Sequence, residues 1–252
     1  MRLDNYLVQI NLFDSRTKAQ QAINRGEIYL NNKRIQKSSF DVDINANVEV
    51  SWIYENSYVS LGGYKLQKAL TDFNYNVKNL IVCDVGASTG GFTDCLLKNG
   101  ASKVYAVDLN DQLLHEKLKQ DDRVVSIIKN ARELCVPDFN DELDLIVADL
   151  SFISISNVID VFSKLLLSGK KLIVLIKPQF ETGERKRFKN GIIRDKKLQV
   201  QICKDVYNLA LEHGLCPINF TTAPIVDNKN VEFLMMFEKD GNVLLGIENI
   251  KY

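Results

Sequence analysis

Residues 80–100 read Leu80-Ile-Val-Cys-Asp84-Val-Gly86-Ala87-Ser88-Thr-Gly90-Gly91-Phe92-Thr-Asp-Cys-Leu-Leu-Lys-Asn-Gly100, and residues 103–108 follow as Lys-Val-Tyr-Ala-Val-Asp108. An unbroken apolar run that ends in an acid predicts a parallel strand covered on both faces. The glycines predict a tight turn into a short helix, and the second apolar run predicts a second strand. A strand, glycine turn and helix in this order offer backbone N–H groups at a helix N-terminus, where a nucleotide-sized ligand binds. Asp108 follows Asp84 by 108 − 84 = 24 positions, near the ~20-residue offset at which a carboxylate meets ribose hydroxyls in nucleotide-binding α/β folds. Adenosine binding is the first expectation.

What the loop lacks narrows the ligand. Gly86-x-x-x-Gly90-Gly91 departs from the G-x-G-x-x-G dinucleotide pattern, and Phe92 stands where a phosphate loop carries its lysine. Asp84 and Asp108 would repel phosphate but tolerate a sulfonium and an amine. S-adenosylmethionine meets that description, with Asp84, Gly86, Ala87, Ser88, Gly90, Gly91, Phe92, Asp108 and Leu109 as its expected contacts. A glycine turn that binds nothing is the alternative.

The chain has 252 residues, 46% hydrophobic and 25% charged, enough for one large domain plus a small module and unlike a disordered composition. Lysine plus arginine (32) balances aspartate plus glutamate (32), so only local clustering can indicate partners. Five cysteines, Cys83, Cys95, Cys135, Cys203 and Cys216, are scattered without a C-x-x-C pair, which predicts a reducing, cytoplasmic setting. His115 and His213 have no partner at metal-ligand spacing, so surface or capping roles and no metal site are expected. No apolar run approaches the ~20 residues of a spanning helix, and membrane insertion is not expected.

Residues 1–57 are expected to form a separate small α+β module. Arg2-Leu-Asp-Asn-Tyr-Leu-Val begins an amphipathic turn, Ser15 opens a second helix that Gly26 closes, and short strands follow around 27–30, 33–35 and 47–52, with Asn31-Asn32 as a turn. Between residues 16 and 37, Arg16, Lys18, Arg25, Lys33, Arg34 and Lys37 face only Glu27, a balance of 6 − 1 = +5 in a neutral chain. Such a cluster suits nucleic-acid phosphates, a solvated surface being the alternative.

From residue 58 to 252 strand and helix patterns alternate, with strands expected at 80–85, 103–108, 143–149, 171–177 and 232–238. Helices are expected at 65–73, 91–99, 111–119, 155–166 and 196–213. The fold class is therefore α/β, a Rossmann-like, mostly parallel sheet joined to the small α+β module. Ligands gather at the carboxyl ends of such strands, where Asp149 and Lys177 each close an apolar run. Glu232 instead precedes one. If the last strand runs antiparallel, Glu232 starts at the edge where Asp149 and Lys177 end, and with Lys65 a charged cluster assembles. A lysine there feels desolvation and a second cation lowering its pKa and two carboxylates raising it. Such a set can position and deprotonate a hydroxyl, although each residue alone could be a solvated strand-end charge. A second basic stretch, Arg185, Lys186, Arg187, Lys189, Arg194, Lys196 and Lys197 against Glu184 and Asp195, follows Lys177.

The chain resembles the TlyA family of ribosomal RNA 2′-O-methyltransferases, which join an RNA-binding module of the ribosomal-protein S-four type to an FtsJ-like methyltransferase domain. The matching residues are Arg2-Leu-Asp with Ser15-Arg16, Tyr58-Val-Ser-Leu-Gly62-Gly63-Tyr-Lys65-Leu, Asp84 to Asp94, Ala106-Val-Asp108, Asp149-Leu-Ser-Phe-Ile-Ser154, Lys177-Pro-Gln-Phe-Glu181 and Asn230-Val-Glu232-Phe-Leu. The resemblance implies a catalytic tetrad of Lys65, Asp149, Lys177 and Glu232, with S-adenosylmethionine held by the Gly86 to Phe92 loop and Asp108. It implies a cytidine ribose of ribosomal RNA as substrate, on the large subunit because the chain starts directly at Arg2-Leu-Asp like the shorter subtype. The RNA contacts expected with it are Arg2, Arg16, Lys18, Arg25, Lys33, Arg34, Arg187 and Lys189. Leu61 replaces an arginine usual in the family, and the 224–230 segment lacks a usual glycine. A nucleotide-dependent oxidoreductase, an RNA chaperone without turnover and a membrane-lytic protein are the competing classes.

Overall fold

The structure is a computed structural model that describes residues 1–251 except 11, 14, 26–27, 31–32, 44–47, 51–57, 183–187, 189–190 and 226–228, and no side chain at 18, 21, 25, 34 and 48–50. It divides into two compact units, Met1–Ser57 and Tyr58–Tyr252.

In the first unit, helices α1 (Leu3–Gln9) and α2 (Arg16–Arg25) accompany a three-stranded antiparallel sheet of β1 (Ile28–Leu30), β2 (Lys33–Ile35) and β3 (Val48–Val50), in the order β2-β1-β3. Leu3, Leu7, Ala19, Ala22 and Ile23 recur at helical spacing and close a core with Ile28, Leu30 and Ile35. The expected Asn31-Asn32 turn and the Gly26 helix stop lie outside the described residues.

The second unit is built on a seven-stranded sheet. Its strands are β4 (Ile81–Val85), β5 (Lys103–Asp108), β6 (Val124–Ile128), β7 (Leu145–Ala148), β8 (Lys171–Ile176), β9 (Leu215–Thr222) and β10 (Phe233–Lys239), ordered β6-β5-β4-β7-β8-β10-β9. β4 to β8 pair in parallel, and β10 runs antiparallel to both β8 and β9. Alternation along each strand feeds two cores. Cys83, Val85, Ile146, Val174 and Met235 face a layer containing Phe162 of α6 (Ile159–Leu165) and Val206 of α8 (Lys196–Glu212). Val82, Val147, Ile173 and Leu234 face Leu66 of α3 (Leu61–Asp72) and Leu96 of α4 (Gly91–Lys98). Chain order reverses between β4 and β7, so the open crevice of the sheet lies beyond their carboxyl ends.

The expected strands and helices differ from this fold in a few places. β6 and β9 were not expected because both are sheet edges without a continuous apolar run. Val125 and Ile128 of β6 are exposed, and β9 carries Pro217, which an edge strand tolerates. The helix expected at 111–119 is a 3₁₀ turn (Asp111–Leu113) followed by the four-residue α5 (Glu116–Lys119), capped by His115. That expected at 155–166 is likewise a 3₁₀ turn followed by α6. α3 starts earlier than expected and includes Gly62 and Gly63; the second glycine is kept by packing, since a Cβ at residue 63 would fall 2.4 Å from the Tyr58 ring.

Candidate active site

The strand ends bring four ionisable side chains together. Asp149 follows β7 directly, Lys177 follows β8, and Glu232 precedes β10, whose Phe233 pairs with Ile176. Antiparallel pairing thus sets Glu232 at the edge where Asp149 and Lys177 end. Lys65 reaches in from α3: its Nζ lies 2.7 Å from Glu232 Oε2 and 3.9 Å from Asp149 Oδ2. Lys177 Nζ lies 2.6 Å from Asp149 Oδ1 and donates to Ser151 Oγ at 2.9 Å. Burial alone would lower the Lys65 pKa, but the charges of Asp149 and Glu232 outweigh it and the net shift is upward.

Lys177 and Asp149 line the same cleft as Gly86, Ala87, Ser88, Gly91 and Phe92. Gly86 (φ +84°) and Gly90 (φ +90°) hold the loop in left-handed backbone. A Cβ at residue 86 would meet the Asp149 carbonyl oxygen at 2.8 Å, so this glycine lets the loop lie against the residue that follows β7. At Gly90 the neighbours are Leu114 and Leu118; here the tight fit serves packing of the loop's own chain. Phe92 is buried in the core as well as bordering the cleft. The Asp108 carboxylate accepts from Ser88 N at 2.8 Å and from Leu109 N at 2.7 Å, which ties the end of β5 to the glycine loop; the Leu109 side chain is exposed.

Strand alternation turns Asp84 toward α4, where its Oδ2 accepts from Thr93 Oγ1 at 2.6 Å while its buried Oδ1 has no hydrogen-bond partner among the described residues. Burial foremost pushes its pKa up to about 7, against the Thr93 bond and with help from the charges of Asp149 and Asp108. A glycine cradle whose one lining cation among the described residues, Lys177, is already paired with Asp149 fits a cationic adenosine cofactor and not a pyrophosphate, while Asp84 lies buried rather than at the cleft wall.

Comparison with known proteins agrees with this geometry. Residues 58–239 match the model of the FtsJ-like methyltransferase, and residues 1–48 match the S4 domain. The chain belongs to the FtsJ-like methyltransferase family. Hemolysin A of Brachyspira hyodysenteriae is 41% identical over 94% of this chain and 99% of its own length. The 16S/23S rRNA (cytidine-2'-O)-methyltransferase TlyA of Mycobacterium tuberculosis is 33% identical over 93% of this chain and 88% of its own. A solved structure from Streptococcus thermophilus that carries a hemolysin name superposes with a TM-score of 0.76 at 35% identity, covering 99% of this chain and 94% of that one. Solved S-adenosylmethionine-dependent methyltransferases about 14–15% identical share the fold alone.

Beside the tetrad, this FtsJ-like unit carries site features that the sequence reading missed. Phe152, in the loop after β7, is 78% exposed at φ +70°, with its ring 5.3 Å from that of Phe180 in the short helix α7 (Pro178–Glu181). Glu181 accepts from Ser154 Oγ at 2.6 Å and from Ile155 N at 3.2 Å, joining the segment after β8 to the segment after β7. An aromatic held exposed in left-handed backbone is the signal that could have singled out Phe152, but it needs coordinates to be seen.

In the S4 unit, Arg2 and Arg16 both bond to Asp4. Lys33 is exposed, whereas the side chains of Lys18, Arg25 and Arg34 are not described. Arg187 and Lys189 lie outside the described residues, as does most of the second basic stretch; its described members Arg194, Lys196 and Lys197 are exposed. Among the described residues no helix is long and apolar enough to cross a membrane.

Proposed function

We propose that this methyltransferase uses S-adenosylmethionine to methylate a ribose 2′-hydroxyl, that of a cytidine in ribosomal RNA of the large subunit, in the cytoplasm. Residues 1–57 bind the RNA in this reading and residues 58–252 carry the chemistry. The observation that carries it is the shared cleft: Lys177, fixed by Asp149 and Ser151, opens onto the same space as the glycine loop.

The Gly86–Phe92 loop and Asp108 with Leu109 would hold the cofactor, which supplies a methyl group on a positively charged sulfur; Asp84, expected from the sequence as a contact, is buried and would act on it only through its charge. In the neutral amine form that general-base action requires, the two N–H groups of Lys177 face Asp149 and Ser151, which leaves the nitrogen lone pair for the proton of the attacking hydroxyl. It contacts the hydroxyl and takes up its proton. Asp149 orients Lys177. Lys65 and Glu232 set the charge around Asp149 from the far side. Because the hydroxyl oxygen attacks the methyl group as the carbon–sulfur bond breaks, leaving a neutral ether and a neutral thioether while the proton passes to Lys177, alignment and water exclusion contribute more than electrophilic assistance. Phe152 offers an aromatic face to a nucleobase beside this cleft, the usual way that proteins hold an unstacked RNA base. Support for the substrate comes from the S4 match and from the relatives whose names specify cytidine 2′-O-methylation of ribosomal RNA.

Mapping ribose methylation across ribosomal RNA from cells with and without the chain tests the reading. One or more cytidine 2′-O-methyl marks should disappear with the gene. Identical maps would refute the reading.

A further inference from the structure

In the first unit a wholly buried carboxylate sits under two half-exposed arginines. Asp4 lies in the first turn of α1 with its side chain at 0% exposure, while the Arg2 and Arg16 side chains are 44% and 52% exposed. Arg2 donates to it twice, from Nε at 3.0 Å and Nη2 at 2.9 Å. Arg16 donates from Nε at 2.9 Å and Gln20 from Nε2 at 2.6 Å, both to Oδ2, and the Asn5 backbone N–H completes the set at 3.0 Å on Oδ1. A core position ordinarily excludes a carboxylate, so this one is kept by its donors. The bond from Arg2, with those from Gln20 and Arg16, holds Asp4 well below the usual carboxylate range against the opposing effect of burial.

Each guanidinium has five N–H groups in a rigid plane. The bonds to Asp4 use two on Arg2 and one on Arg16, and rigid planarity then fixes where the remaining ones point. Free arginine side chains lose several rotamers on binding, a cost that is removed when they are already oriented.

We propose that Asp4 is a positioning residue that holds Arg2 and Arg16 as a preformed two-guanidinium clamp for an RNA phosphate. The proposal rests on the reading of this unit as an RNA-binding module. It has a consequence opposite to simple electrostatics. Removing a negative charge from a phosphate-binding face should tighten binding if the acid only dilutes the positive field, but should weaken it if the acid builds the site.

The test uses the full chain and ribosomal RNA transcribed in vitro, with affinity measured over a salt series and folding followed by circular dichroism and thermal melting. Asp4→Asn is expected to weaken RNA binding about tenfold, the scale of one charged hydrogen-bonded contact, although it raises the charge of the unit by one. Equal or tighter binding overturns the proposal. Arg16→Lys, an exposed change that keeps the charge, decides the matter if Asp4→Asn fails to fold. A lysine cannot hold Asp4 and present a fork at once, so affinity should again fall, and wild-type affinity overturns the proposal. Arg2→Gln with Arg16→Gln separates the two levels. If that double variant binds RNA as the wild type does, the RNA-binding reading of this face fails. If it loses affinity while Asp4→Asn does not, only the positioning role fails.

Discussion

Lys177 Nζ lies 2.6 Å from Asp149 Oδ1 at the carboxyl ends of two neighbouring parallel strands, β8 and β7. Parallel neighbours end at the same sheet edge, so two side chains 28 positions apart (177 − 149) meet without a loop having to carry either one. Glu232 joins them only because β10 runs the other way. The placement of these three is thus a product of sheet topology, set by strands that are buried on both faces, while Lys65 is brought to them by α3.

Lys177→Ala should lower the single-turnover rate of methyl transfer by about 100-fold or more while cofactor and RNA affinities stay near wild type, since the lost contact matters as the oxygen becomes nucleophilic. Lys177→Arg should fail as well, because a guanidinium stays protonated and its fork does not reproduce the point contacts to Asp149 and Ser151. Single-turnover rates across pH are the measurement. A near-wild-type Lys177→Arg enzyme would move proton removal to water or to Asp149.

The parts that could be read from the sequence share one property: each apolar run that names a central strand also names the polar residue at its end. Asp108, Asp149 and Lys177 follow this rule and Glu232 follows it in reverse, whereas Asp84 departs from it because β4 runs on through Val85 and buries the carboxylate. Edge strands β6 and β9 escape it because one face is wet and the apolar run is broken. Contacts between distant segments escape it too. Nothing in the spacing links Glu181 to Ser154, Thr93 to Asp84, or Asp4 to Arg16, since each bond depends on how turns and helices dock. Phe152 reads as an ordinary apolar residue until its exposure and backbone angle are known.

Two glycines with nearly the same backbone angle should respond differently to substitution. Gly86 (φ +84°) would place a Cβ 2.8 Å from the Asp149 carbonyl oxygen, whereas Gly169 (φ +81°) has open space around it. Gly169→Ala should cost only about 1 kcal/mol of backbone strain. Gly86→Ala should cost ~2–3 kcal/mol or more, because backbone must also shift, and should reduce methyl transfer by displacing Asp149. Urea titrations of both variants give the comparison, and equal losses would show that the close approach is not limiting.

Phe152→Ala should raise the KM for RNA by roughly tenfold, in line with about 1–3 kcal/mol for stacking of one base on an aromatic side chain. Cofactor affinity should not change. Since Phe152 is 78% exposed, the melting temperature should barely move. Steady-state kinetics at saturating cofactor will show whether the effect falls on RNA; an unchanged KM would make Phe152 a partner of Phe180 alone.

Asp84 should make the stability of the ligand-free chain depend on pH. Its pKa rises from the ordinary 3.8 to about 7, chiefly through burial. Between these values the folded chain binds a proton that the unfolded chain has released. The slope of unfolding free energy with pH is therefore negative. The contribution is fully present below about pH 4 and lost as pH rises through about 7, and its size is a few kcal/mol. Asp84→Asn cannot titrate, so the stability of the variant relative to wild type should increase from pH 5 to about pH 7 and level off above it. Denaturant titrations at several pH values measure that difference directly. The same linkage predicts that wild-type affinity for S-adenosylmethionine rises over this range, because a cation in the cleft favours the ionised carboxylate, and that the Asp84→Asn affinity does not. Parallel stability curves for the two proteins would mean that Asp84 is already ionised at pH 5 and that its unpartnered Oδ1 is solvated.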